Sequence, residues 1–147
     1  MRTLTSLRRR YQEVSLDEKR LLRRALMVVV ATRVGLWCGG LRLARLASLV
    51  TARGTGRVSI DRATWAVAAA ARYAPGATCL VQALALQALL AISGVTCNVH
   101  VGVVTNRSGA AGVEAHAWAV CDGRVVIGAS PNDYTQLGAL DRDGHVV

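Results

Sequence analysis

Phenylalanine is absent from this 147-residue chain, lysine occurs once, proline twice, and aromatic residues make up only 4% of it. With an apolar fraction of 52%, the core has to be built mainly from Ala, Val and Leu. Closely spaced cysteine pairs are missing too: Cys38, Cys79, Cys97 and Cys121 form no CxxC motif. That argues against a structural zinc site, even with His100 or His116 as a further ligand, and no metal is expected. Long charge-free runs are lacking in the first third. Only eight uncharged residues lie between Arg24 and Arg33, and eight more between Arg33 and Arg42. A membrane span needs roughly 20. The charged start runs into Tyr11-Gln12-Glu13, which predicts no secretory signal, and hence a reducing cytoplasm with free thiols.

Acidic residues are also scarce, nine against eighteen basic ones, and their placement is lopsided. Residues 1–72 carry a net charge of +11 and residues 73–147 carry −2. The basic half suits an acidic peptide, anionic lipid or nucleic acid, or is simply a solvated arginine-coated helix face. Nucleic-acid binding through Arg8-Arg9-Arg10 and Arg20, Arg23 and Arg24 lacks the interleaved aromatic residues that would stack on bases. No nucleic-acid partner is expected.

The local signals give a clear order of elements. Ser15-Leu16-Asp17-Glu18 is a capping box, and Leu21, Leu22, Ala25, Leu26 and Val29 follow at helical spacing. Gly39-Gly40 punctuates that helix, and a second basic amphipathic piece runs from Leu41 to Val50. Thr51 to Arg57 is a linker; Ser59 caps a helix from Ile60 to Tyr73, and Pro75-Gly76 turns into a helix beginning at Cys79 and ending near Ser93-Gly94. From Val95 to Val103 the period becomes two, the mark of a half-buried strand. A turn over 106–112, a strand from Val113 to Cys121, an Asp122-Gly123 hairpin and a strand from Arg124 to Ala129 complete the reading. Helices first and an antiparallel sheet after them define an α+β class, with a Cys-bearing helix packed on a small sheet. We divide the chain into a basic helical region, 1–57, and a core, 58–147, forming one compact unit.

Cys79 and His116 carry the candidate chemistry. A thiol attacks as thiolate, and the positive end of a helix favours negative charge. With Thr78 as cap, Cys79 is the first helical residue, and the N–H groups of Cys79 and Leu80 are free to meet an oxyanion. His116, in the strand Ala115-His116-Ala117-Trp118, would supply the base. Papain-like and transglutaminase-like folds build their nucleophile from such a pair.

The wording of two segments goes further. Trp65-Ala66-Val67, with Tyr73-Ala74-Pro75-Gly76-Ala77-Thr78-Cys79-Leu80-Val81-Gln82-Ala83-Leu84-Ala85-Leu86, resembles the stand-alone leader peptidases of lasso-peptide biosynthesis. So do Gly94-Val95, His100-Val101-Gly102-Val103, Ala115-His116-Ala117-Trp118 and Asp122-Gly123. The similarity covers about residues 15–140. It implies a transglutaminase-like cysteine protease that removes the leader from a ribosomally made precursor peptide. It also implies a small leader-binding protein as partner, an ATP-dependent cyclase acting on the product, and no cofactor. Cys79 would be the nucleophile, and His116 the general base and then the acid.

One position departs from that family. Its triad usually ends in an Asp twelve residues past the His, and here position 128 is Gly. Asp133 is the first candidate for the orienting carboxylate; Asp122 fits better as the hairpin residue, and Glu114 shares a strand face with His116. Gln82 stands one turn beyond Cys79, where it would support an oxyanion or satisfy backbone. Trp118 would shape a groove or fill the core. The competing reading is a non-catalytic binding module whose basic helices dock a leader or a partner protein.

Overall fold

The computed structural model describes residues 15–105, 113–130, 134–141 and 145–146. The chain begins with α1 (Leu16–Ala52), started by the expected capping box. Ser15 Oγ accepts from the Glu18 N–H at 3.2 Å, and Glu18 Oε2 accepts from the Ser15 N–H at 2.8 Å. The backbone bond from Ser15, then that with its side chain, hold the Glu18 carboxyl below the usual range.

α1 is not a rod but two helical arms joined at a kink. Gly39 and Gly40 leave helical geometry, and Gly40 has φ 71°, which favours glycine. The arms fold back so tightly that a Cβ on Gly35 would sit 2.5 Å from Ala44 Cα. In a straight helix those two residues would be about 13 Å apart. Charge spacing predicts no membrane-spanning segment, yet α1 is long and apolar enough for one by length and composition. Its inner face, Leu21, Ala25, Val28 and Val29, is buried in the core of the domain.

Two shorter helices follow. α2 (Ile60–Ala71) is capped by Ser59, whose Oγ accepts from the Arg62 N–H at 3.4 Å, and stops two residues before the predicted end. Its buried residues, Ala63, Ala66, Val67 and Ala70, are small, as close helix packing requires. α3 (Cys79–Ile92) is buried from Ala83 to Leu90, and so lies at the centre of the molecule.

The sheet is antiparallel, in the order β3-β2-β1-β4. β1 (Cys97–Thr105) starts two residues later than predicted, and β2 (Val113–Cys121) falls where predicted. Asp122 and Gly123 turn the chain with φ 50° and 74°, the positive pair that a tight hairpin demands. β3 (Arg124–Ile127) is two residues shorter than expected. β4 (Thr135–Leu140) was not legible in the sequence and pairs with the other side of β1. The expected turn at 106–112 lies outside the described residues. The α+β order of helices and then antiparallel strands is as predicted.

One core joins helices and sheet. Val28, Val67, Leu84, Leu86 and Leu89 cluster with Cys97, Val99, Ala119 and Cys121. Buried Gln87 ties the layers: its Nε2 donates to Cys97 O at 2.7 Å and to Leu140 O at 3.1 Å. Cys97 and Cys121 face each other across β1 and β2 as free thiols. The bond to Cys121, then burial, pushes the Cys97 thiol far above the ordinary cysteine range.

Candidate active site

Cys79 is the first residue of α3, free and half-buried. Thr78 is extended (φ −66°, ψ 170°), the geometry of an N-cap, and its Oγ1 accepts from the Val81 N–H at 3.5 Å. The Gln82 N–H bonds Thr78 O at 3.0 Å. Cap and first turn thus engage the N–H groups of Val81 and Gln82. Those of Cys79 and Leu80 have no partner among the described residues. The turn before the helix is pinned from two sides. Gln82 Nε2 donates to Ala77 O at 3.0 Å, so its amide serves the backbone. The Arg33 guanidinium lies over Gly76, where a Cβ would come 2.5 Å from Nε.

His116 is placed by β2 and by the chain leaving β3. Its Nε2 is 2.6 Å from Gly128 O. A carbonyl oxygen only accepts, so Nε2 carries the proton in the neutral ring and Nδ1 keeps its lone pair. The nitrogen left open is the basic one. Gly128 has φ 79°, and a Cβ there would sit 2.6 Å from Ala117 O. Position 128, where the resembling family carries a carboxylate, therefore has no room for a side chain, and its backbone carbonyl meets the ring instead.

Aromatic rings line up beside His116. Tyr134 stacks on it at 5.0 Å between centroids, and the Tyr134 hydroxyl donates to Glu114 Oε1 at 2.8 Å. Trp118 lies 6.2 Å from His116 and 5.8 Å from His100, with its ring close against Gly102. His116, Trp118, Gly128, Ser130 and Tyr134 line an open cavity of about 310 Å³. Trp118 is thus a groove residue, while Ala117 and Ala119 alternate into the core.

The thiol and the imidazole come from two directions. From Gln87, bonded at Cys97, α3 runs back eight residues, about 12 Å, to Cys79. Four strand residues cover about the same length, which sets Cys79 near the level of Val101 and its partner Ala117 on the helix-facing side of the sheet, whereas His116 shares the opposite side with Trp118. No hydrogen bond joins the Cys79 thiol to the His116 ring. Asp133 lies outside the described residues. Asp122 is the hairpin residue, and Glu114 reaches His116 only through Tyr134. Sequence reasoning missed Gly128 as a partner because a carbonyl has no residue signature, and missed Tyr134 because it belongs to no periodic segment.

Among the described residues no group of His, Cys, Asp and Glu is arranged to hold a metal ion. A search of curated proteins and of solved structures finds no match for the chain. A family model does match, over residues 26–139, and so runs from within α1 through the other two helices and into the last strand, taking in both Cys79 and His116. Thiol-bearing helix, histidine strand and antiparallel sheet agree with that match, and the chain belongs to the transglutaminase-like superfamily, a group of cysteine proteases and acyltransferases.

Proposed function

We propose that this protein is a cysteine endopeptidase that removes the leader from a ribosomally made, lasso-type precursor peptide. The observation that carries it is Cys79 on the first residue of α3, beside two N–H groups with no partner. Nδ1 of His116 takes the thiol proton as Sγ bonds the scissile carbonyl carbon. The oxyanion is met by the N–H groups of Cys79 and Leu80. As the C–N bond breaks, Nδ1 returns that proton to the leaving amine. Water then hydrolyses the thioester, regenerating the thiol and releasing the leader carboxylate. The freed amine is the group that an ATP-dependent cyclase would join to a side-chain carboxylate. A small leader-binding protein would present the precursor, in the cytoplasm where it is made.

Mass spectrometry of a precursor incubated with this protein and the leader-binding partner tests the reading. Wild type releases leader and core, and Cys79→Ala releases neither; release by Cys79→Ala at the wild-type rate sinks the proposal. The lack of a hydrogen bond between thiol and ring favours a second reading, a binding module without turnover. Equal binding of a labelled leader to both proteins, with cleavage by neither, is its signature.

A further inference from the structure

A cleft away from the thiol lies between the start of α1 and the linker into α2. It measures about 730 Å³, within the range of ligand sites. Arg20, Arg23, Arg24, Arg57 and Arg62 line it together with Asp17, at 3.7 Å from Arg20, and the Glu18 carboxylate acts on Arg62 from nearby. Thr55 also lines it, with a buried Oγ1 that has no partner among the described residues. Five guanidinium groups around a concave space outnumber the carboxylates of Asp17 and Glu18 beside them, and the excess favours an anion.

The cleft opens onto an apolar stripe. Met27 lines its edge, and Val30, Val34 and Trp37 continue along the same exposed face of α1 at helical spacing. On the flank of α1 beside that stripe, Arg33 reaches the turn at Gly76, three residues before Cys79. From Arg24 to Arg33 the helix rises about 13 Å and turns half way round, so an extended peptide crossing its surface needs more than about four residues.

We infer that the basic cleft is an exosite for an acidic segment of a peptide substrate, whose apolar residues then run along α1 to Cys79. Arginine forks bind carboxylate and phosphate alike. A free phosphate leaves the Met27–Trp37 stripe unused, and a bilayer cannot enter a cleft between two elements. The inference rests on the peptidase reading for its purpose, but its measurement does not need turnover.

The test is fluorescence anisotropy on full-length Cys79→Ala with a labelled peptide of leucines flanking a glutamate cluster. Partner probes are the same peptide with Gln or Lys for Glu, inorganic phosphate, and phosphatidylserine vesicles. The glutamate peptide binds, and its affinity drops at least about tenfold with Gln for Glu, in Arg23→Glu/Arg57→Glu, or between about 0.05 and 0.5 M salt. The lysine peptide regains affinity on the reversed variant, which shows that the variant is folded. Equal affinity of the Glu and Gln peptides, no effect of the reversal, or vesicles binding through these arginines when the peptide does not, would overturn the proposal. A wild-type protein that cleaves nothing while Cys79→Ala binds as described defeats the peptidase reading and leaves the exosite standing.

Discussion

At position 128 the chain uses a residue's carbonyl and excludes its side chain. Gly128→Ala would force a Cβ to 2.6 Å from Ala117 O at φ 79°. We expect a loss of about 1–3 kcal/mol in a denaturant melt, together with loss of the His116 Nε2–H signal in proton NMR. Gly128→Asp fails in the same way and does not rebuild a triad. Cys97 gives one of two opposed pH effects, because the bond that raises its thiol lowers that of Cys121. The Cys97 thiol is raised in the folded protein, so the native state keeps a proton that the unfolded chain loses above about pH 8.5. This stabilisation is complete below that pH and declines as pH rises, by up to about 1.4 kcal/mol per unit. Cys97→Val should flatten that limb of a stability–pH curve. Cys79 was visible from its place after Thr78, because a cap and a first turn are local. The partner of His116 was invisible, because it is backbone brought close by a hairpin.

Among the elements, α1 shows what a glycine pair does to a long helix. Its fold-back places Gly35 against Ala44, and Gly35→Ala would press a methyl group onto backbone at 2.5 Å. Overpacking of this kind costs about 1–3 kcal/mol, and a thermal melt should show the transition moving down by several degrees. The starts of all three helices were legible, since Ser15, Ser59 and Thr78 each sit three residues before the N–H they accept. β4 was not. Thr135-Gln136-Leu137 is exposed, Gly138-Ala139-Leu140 has no strong alternation, and a shift of register between Val101 and Gly102 spoils any simple pairing with β1. Edge strands fixed by distant partners leave a weak trace in the chain itself.

For the whole molecule, α+β order and charge asymmetry could be read from composition, whereas the way the first arm joins the rest could not. Leu21, Ala25, Val28 and Val29 share one core with α3 and the sheet. A fragment of residues 58–147 would expose Val67, Leu84 and their neighbours, and we expect it to lose the cooperative melt of the full chain in circular dichroism. The basic surface is therefore carried on an element that the fold needs, and an affinity change there is to be judged beside a stability measurement. Gln87 adds a mechanical side to this integration. By gripping β1 and β4 at once, it couples α3 to the outer edge of the sheet as a crank to its bearing. Loss of that amide, as in Gln87→Leu, should therefore loosen α3 and the β4 edge together, which faster amide exchange in both elements would show.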